Sequence, residues 1–209
     1  MQVLDLTHTI TDAMPCWPGT PQVSLTPLAK LEEDGFRETL VSMASHIGTH
    51  LDAPAHLLPN GTTLDSMPPA QFVGSAVVLD CSNRGAISLA MLQSYTQLLS
   101  RAEFVLLYTG WSRHWKTPDY FDNYPVLNPD AASYLASLRL KGLGVDTISV
   151  DAFMDADCPI HRILLGSGMM LLENLRNLRG LCGREFFLTA APLKLRNADG
   201  APARVFALI

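Results

Sequence analysis

Short apolar stretches with strand character recur along the 209 residues of the chain. Predicted strands lie at residues 37–45, 74–80, 103–109, 142–150 and 184–190. The central strands are apolar at consecutive positions rather than at alternate ones. This pattern indicates strands that are covered on both faces, by helices or by a second sheet.

Two segments between these strands have helical character. Residues 88–100 open on Ser88, a plausible N-cap, and residues 128–142 have Pro129 near their start and Gly142 at their end. Alternating strands and helices predict an α/β architecture. Because the chain has no internal repeat and no Gly/Ser-rich linker, we expect residues 1–209 to form a single domain.

Composition and charge narrow the classes of partner. The chain is 48% hydrophobic, and its 15 basic and 20 acidic residues give a net charge of -5 without a run of like charges. We therefore expect a small-molecule substrate and no nucleic acid. The apolar runs are too short to cross a membrane, so no membrane partner is expected. The amino terminus lacks the character of a signal peptide and the four cysteines are scattered, which favours the cytoplasm.

The stretch SHIGTHLDAPAH, residues 45–56, contains three of the six histidines of the chain. A straight strand advances about 3.3 Å per residue, so His46 and His50 would stand roughly 13 Å apart and could not ligate one ion. Gly48 lies between them and adopts backbone angles closed to other residues. We therefore expect a bend that brings His50 and Asp52 back toward His46.

The side chains of this stretch suit a transition metal. Imidazoles and a carboxylate suit zinc, manganese or iron, and a carboxylate such as that of Asp52 can bridge two ions. Pro54 prevents the segment from continuing as a regular helix. An isolated pair of histidines is more often structural, but three histidines and an aspartate around a glycine turn predict a metal site.

The segment HIGTHLDAPAH resembles the signature HxGTHxDxPxH of the cyclase-like family of metal-dependent hydrolases, which includes bacterial kynurenine formamidases and isatin hydrolases. The resemblance extends through HLLPNGTTLDSMPPAQFVGSAVVLD, VLLYTGW, GLGVDTISVD, HRILLGSGMMLLENL and APLKLRNADGAPARVFALI. It implies a swivelling β/β/α fold with a mixed central sheet. It also implies a homodimer or a higher homo-oligomer whose active sites lie close to a subunit interface.

The resemblance further implies a ligand set for two divalent ions. The matching residues are His46, His50, Asp52, His161 and Glu173. Without the resemblance, a lone histidine and a lone glutamate would be interpreted as structural. Glu173 is nevertheless the only charge between Arg162 and Arg176, and a buried carboxylate needs a cation to offset its desolvation.

Two further residues match family positions beside the metals. His56 matches the histidine that formamidases use as proton donor and acceptor, and Trp17 matches a tryptophan of the substrate pocket. One departure concerns the substrate: many formamidases have an acidic residue after PxWPG, where this chain has Thr20.

The resemblance implies an arylformamidase that hydrolyses N-formylkynurenine or a similar aryl formamide to formate and an aromatic amine. Zinc is the favoured metal and manganese the alternative. A cyclic-amide hydrolase of the isatin hydrolase type would use the same ligands. A non-catalytic metal-binding or small-molecule-binding protein is a third possibility, against which a non-ligating His56 argues. A serine hydrolase is not supported, because the chain has no G-x-S-x-G.

Other polar clusters receive simpler interpretations. Cys158 and His161 form one C-x-x-H pair, but a structural zinc site needs a second pair. The segment with Asp151, Asp155 and Asp157 has a spacing loosely like that of a calcium loop but lacks the required glycine and the terminal glutamate. A solvated loop is therefore expected.

An aromatic segment, TGWSRHW, follows a predicted strand. Its residues Trp111, His114 and Trp115 either face the pocket or pack under a loop, and packing is the favoured alternative. No role is assigned to His8.

Overall fold

The computed structural model describes residues 1–82 and 85–209 of the chain. The strands are β1 (Val3–Asp5), β2 (Ser24–Ala29), β3 (Glu38–Ser42), β4 (His50–Asp52), β5 (Val73–Asp80), β6 (Ala86–Ile87), β7 (Phe104–Tyr108), β8 (Val126–Leu127), β9 (Gly142–Val145), β10 (Met170–Glu173), β11 (Glu185–Pro192) and β12 (Gly200–Leu208). The α-helices are α1 (Leu31–Asp34), α2 (Leu89–Gln93), α3 (Thr96–Leu99), α4 (Pro129–Ser137) and α5 (Pro159–Gly166).

Eight strands form one mixed sheet in the order β1-β12-β11-β5-β7-β9-β10-β4. Strand β4 also pairs with β12, so seven of these strands close into a barrel and β1 lies beside it. Strands β5, β7, β9 and β10 run parallel, and the remaining pairs are antiparallel. This arrangement confirms the expected α/β fold with a mixed central sheet.

The barrel wall carries apolar side chains on both of its faces, as the consecutive apolar positions predict. On β5, Val78 belongs to the cluster inside the barrel and Val77 to the cluster outside it. Leu106 and Leu107 of β7 divide in the same way. Helices α4 and α5 pack on the outer cluster, for example through Leu135.

Three predicted elements are shorter than expected. The predicted strand at 142–150 ends as β9 at Val145, because the next side chain, Asp146, turns to accept hydrogen bonds from the backbone of Thr109 and Gly110 at 2.9 Å each. The predicted helix at 88–100 divides into α2 and α3. The helix predicted at 128–142 ends at Ser137.

The predicted strand at 37–45 lies outside the barrel. It forms β3, which pairs with β2 in a two-stranded hairpin, and every residue of β3 is exposed. Large apolar side chains on the hairpin and its turn stand in solvent: Leu28, Leu31, Phe36, Leu40 and Val41. Within residues 1–82 and 85–209, no helix has the length and apolar character needed to cross a membrane.

Candidate active site

Strand β4 lies between β10 and β12 and presents two polar side chains on one face. His50 and Asp52 are two residues apart and therefore point to the same side of the sheet, whereas Leu51 points into the barrel. The register of β10 places Glu173 directly opposite His50. Two carboxylates and an imidazole thus meet at the barrel wall, and all three residues are buried.

The chain bends at Gly48, as the sequence predicts. Gly48 has a φ of 65°, a left-handed conformation that favours glycine. The bend returns the chain so that Nδ1 of His46 lies 2.6 Å from Oδ1 of Asp52. The Gly48 carbonyl also points back into the site, where it accepts hydrogen bonds from His50 and from Asn174 at 2.8 Å each.

Nitrogen and carboxylate atoms form two neighbouring groups. The first contains His46 Nδ1, His50 Nε2 and Asp52 Oδ1, with the last two atoms 3.2 Å apart. The second contains Asp52 Oδ2, His161 Nε2 and Glu173 Oε1, with 3.6 Å from His161 to Asp52 and 3.3 Å to Glu173. The other oxygen of Glu173 lies 3.5 Å from His50. Both carboxylates therefore reach both groups, as bridging ligands of two ions would.

Each of these histidines is held by an acceptor on its outer nitrogen. The pairs are His46 with Asp199 Oδ2 (2.9 Å), His50 with the Gly48 carbonyl (2.8 Å) and His161 with Asp151 Oδ2 (2.6 Å). An acceptor on the outer nitrogen keeps a ring proton there, so the inner nitrogen, which faces the carboxylates, is the one that can lose its proton and ligate a metal. This is the arrangement in which histidines ligate metals.

Asp151 corrects the expectation of a solvated loop at 151, 155 and 157. Its side chain is 2% exposed, because it accepts hydrogen bonds from the backbone of Ile160 and His161 at the start of α5 as well as from the His161 ring. Asp155 and Asp157 are exposed, as expected. Sequence reasoning also missed Asp199, since neither aspartate has a fixed spacing from the histidine it holds.

The buried carboxylates attract positive charge strongly. Burial would lower the pKa of His161, but hydrogen bonds that its ring donates to Asp151, Asp52 and Glu173 raise it to about 12. Burial likewise opposes the charge on His46, yet Asp52 and Asp199 raise its pKa to about 9.

The carboxylate of Asp52 is buried beside histidines that favour its ionised form. Burial would raise its pKa, but the neighbouring His50 and His46 hold it well below the usual range. Its Oδ2 atom is buried without a hydrogen-bond partner among the described residues. A buried oxygen without a partner, beside the inner histidine nitrogens and a second carboxylate, fits a divalent cation.

His56 lies at the edge of both groups, in a 3-10 turn at Pro54–His56. Its ring centroid is 4.0 Å from that of His46, and its Nδ1 is 3.5 Å from Oδ2 of Asp199. Burial, together with His46 and His161, lowers its pKa despite the attraction of Asp52. His56 is therefore neutral at pH 7 and half-buried, although it forms a third donor group with His46 and Asp199.

The two donor groups open into a cavity of about 590 Å³. Trp17 and Phe153 form an aromatic part of its wall, with ring centroids 4.8 Å apart, and Ile148 adds an aliphatic face. Thr20, which stands where many formamidases have an acidic residue, also lines the cavity. The volume and the apolar wall suit a small aromatic molecule.

The aromatic residues of TGWSRHW pack under a loop. Trp111 donates a hydrogen bond to the Tyr120 carbonyl at 3.0 Å, and Trp115 stacks on His8 with ring centroids 4.0 Å apart. Among the described residues, Trp111, His114 and Trp115 do not belong to the lining of the active-site cavity.

A buried polar network supports the bend from behind. Thr49 donates to the Asn174 carbonyl at 2.6 Å and accepts from the His8 backbone at 2.9 Å. Tyr120 donates to the side-chain oxygen of Asn174 at 2.7 Å, and the amide of Asn174 holds the Gly48 carbonyl. His8 and Asn174, to which the sequence assigns no role, thus fix the segment that carries His50.

Known proteins resemble this chain along most of its length. A kynurenine formamidase from Bacillus cereus is 32% identical over 202 residues, which cover 96% of this chain and 94% of the relative. The structure of isatin hydrolase A from Ralstonia solanacearum superposes with a TM-score of 0.88 and 30% identity, covering 100% of this chain and 92% of that one.

A further solved structure is that of a potential metal-dependent hydrolase with cyclase activity. It has a TM-score of 0.82 and 30% identity, and the match covers 99% of this chain and 96% of that one. The family model described as "Putative cyclase" matches residues 4–152. The chain therefore belongs to the cyclase family.

Proposed function

We propose that the protein is a metal-dependent amidohydrolase that hydrolyses N-formylkynurenine or a similar aryl formamide to formate and an aromatic amine. One observation carries the proposal: two donor groups share Asp52 at the base of an aromatic-lined cavity, and Glu173 of the second group also lies 3.5 Å from His50 of the first. The kynurenine formamidase relative supports the formamide substrate.

The proposed ligands are the five residues of the two donor groups, for two divalent ions per subunit. Imidazole and carboxylate donors favour zinc, and manganese is the alternative. When bound, such ions supply a water nucleophile at neutral pH and polarise the amide carbonyl. The outer acceptors Asp151 and Asp199 hold two of the imidazoles in the orientation that ligation requires.

His56 is the proposed proton carrier. Its neutral ring accepts the proton of the attacking water and then donates that proton to the departing nitrogen, because an amine anion is a poor leaving group. Asp199, 3.5 Å from Nδ1 of His56, orients the ring and stabilises its protonated form. Trp17 and Phe153 supply flat faces for the aryl group and exclude water from it.

Substitution of the donor residues and of His56 separates metal binding from proton transfer. His50→Ala is expected to lose metal and activity together, measured by elemental analysis and formate release. His56→Ala is expected to keep the metal and lose about 10²- to 10⁴-fold in kcat, the usual contribution of a general acid–base. His114→Ala, outside the cavity, serves as the control. A fully active His56→Ala variant would contradict the proton-carrier role.

The second candidate is hydrolysis of a cyclic amide, as the isatin hydrolase structure supports. Thr20 in place of an acidic residue also weakens the match to the formamidases at the substrate end of the site. Assays of the metal-loaded protein with N-formylkynurenine, isatin and formanilide separate the candidates. A protein that binds metal and turns over none of these amides would be a binding protein rather than a hydrolase.

We also propose that the protein is a single-domain, cytoplasmic homodimer or higher homo-oligomer. The β2–β3 hairpin supports this assembly, since it stands outside the barrel with Phe36 and Leu40 more than half exposed, at 56% and 52%. Light scattering is expected to give at least twice the 22.8 kDa chain mass, and Phe36→Asp with Leu40→Asp is expected to lower it. An unchanged mass would exclude the hairpin as the interface.

A further inference from the structure

Apart from the histidines of the donor groups, the charged side chains that line the active-site cavity are acidic. Among the described residues, the lining includes no lysine or arginine. It includes four carboxylate residues: Asp52, Asp151, Asp155 and Glu173. Three of them are buried at the base, where histidines engage them, and only Asp155 is exposed. The outer part of the cavity therefore presents one free negative charge.

Asp155 has a fixed backbone at the rim. Its N–H donates to the Ala152 carbonyl at 2.9 Å, and its own carbonyl accepts from the Cys158 N–H at 3.3 Å. The neighbouring Met154 is 87% exposed and also lines the cavity. The turn thus adds one exposed acidic and one exposed apolar residue to the lining, directly after Phe153 in the chain.

These surroundings disfavour a substrate carboxylate. A carboxylate that enters loses hydration against Trp17, Phe153 and Met154, and outside the donor groups at the base it finds no lysine or arginine among the described lining residues in return. Asp155 adds repulsion of like charge. An ammonium group is attracted by the same aspartate. An uncharged aryl amide pays no cost for a desolvated charge and is not repelled by Asp155. N-formylkynurenine carries both an ammonium and a carboxylate, so the two effects oppose each other in that molecule.

We propose that the cavity selects aryl amides that lack a carboxylate, either uncharged or bearing an ammonium group, and that Asp155 determines the preference for the ammonium. This inference rests on the proposed amidohydrolase function and narrows its substrate class. It makes the decarboxylated analogue of N-formylkynurenine, in which hydrogen replaces the carboxylate, a better substrate than N-formylkynurenine itself.

The comparison uses the metal-loaded full-length protein and four amides: N-formylkynurenine, its decarboxylated analogue, formanilide and isatin. The decarboxylated analogue is expected to exceed N-formylkynurenine in kcat/KM by about tenfold, since burial of an uncompensated charge is costly. The difference is expected to lie mainly in KM, because the carboxylate is remote from the reacting carbonyl.

Variants at the rim test the residue assignment. Asp155→Asn is expected to lower the kcat/KM ratio of the decarboxylated analogue to formanilide by about two- to fivefold, the size of an exposed ion pair, and high salt is expected to do the same. Asp157→Asn, on the same loop but outside the lining, is expected to keep the parent ratio. Met154→Arg is expected to raise kcat/KM for N-formylkynurenine relative to formanilide.

The outcomes distinguish the inference from the function on which it rests. Turnover of these amides with N-formylkynurenine equal to or better than its decarboxylated analogue would overturn the inference and leave the hydrolase function standing. An unchanged ratio in Asp155→Asn would remove the role of that residue. No turnover of any of the four amides by metal-loaded protein would overturn both.

Discussion

At the scale of single residues, the groups that accept a hydrogen bond from the outer nitrogen of each histidine determine whether its inner nitrogen can bind a metal. Asp151 is the most heavily used of them, since it accepts two backbone N–H groups of α5 as well as the His161 ring. It therefore fixes both the start of the helix and the direction of His161 Nε2. The carboxylate of Asp199 is half exposed, at 47%, and serves His46 and His56 together.

Asp151→Asn tests this dependence on the outer acceptor. The variant loses the negative charge that keeps the outer proton on His161, so metal affinity is expected to fall about 10- to 100-fold, as for other partners of metal-bound histidines. Titration of the metal-free protein with Zn²⁺ measures the change. Asp157→Asn is the matched control, and a variant that binds zinc as tightly as the parent would show that Asp151 only caps the helix.

Spacing along the sequence predicts only the local part of the site, whereas His161 and Glu173 follow from the family resemblance. His46, His50 and Asp52 lie within one motif that contains its own glycine bend, so their meeting can be inferred from spacing. Glu173 meets them because β10 pairs with β4, and Asp199 because β12 places Gly200 opposite Asp52. Such long-range register is not encoded by any short pattern, and for this reason Asp199 was missed.

At the scale of elements, β4 depends on the network behind it. Thr49, just before β4, joins the His8 segment to the Asn174 segment after β10. Strand prediction succeeded where runs of apolar residues cross the barrel wall, as in β5 and β7. It gave too long a strand at 142–150, because the residues after β9 form a loop in which Asp146 accepts from the Thr109 backbone and Thr147 donates to the Ser149 carbonyl.

Thr49→Val is expected to destabilise the protein by about 1–3 kcal/mol, because it leaves the His8 N–H buried without its acceptor. The Asn174 carbonyl loses its hydroxyl donor in the same variant. Urea unfolding of the metal-free protein measures the loss, and Thr39→Val on the exposed strand β3 is the control. Equal stability of the two variants would show that the network adds nothing to the fold.

At the scale of the whole molecule, charge at the site is linked to global stability. In the metal-free protein, the pKa of His46 is raised from 6.5 to about 9, against the effect of burial, by Asp52 and Asp199. A raised pKa means that the protonated ring stabilises the fold fully below pH 6.5. That contribution, on the order of 3 kcal/mol, is lost as the pH rises through 9.

Thermal unfolding of chelator-treated protein is therefore expected to show a Tm that falls between pH 6.5 and about 9. Metal-loaded protein is the comparison, and its stability is expected to hold or rise over the same range, because ligation requires neutral imidazoles. A metal-free Tm that does not change with pH would mean that a group other than protonated His46 compensates the negative charge of the carboxylates.

Strand β4 pairs with a neighbour on each side, and the register of these pairs determines whether the donor groups can form during folding. A strand of three residues closes the barrel, and a slip of one position would turn Leu51 to the cavity and bury His50 and Asp52 among the apolar side chains of the interior. A barrel closed in the wrong register could not assemble either donor group. Under the proposed function, metal uptake would report on correct closure, because only chains that complete the barrel in register assemble both donor groups.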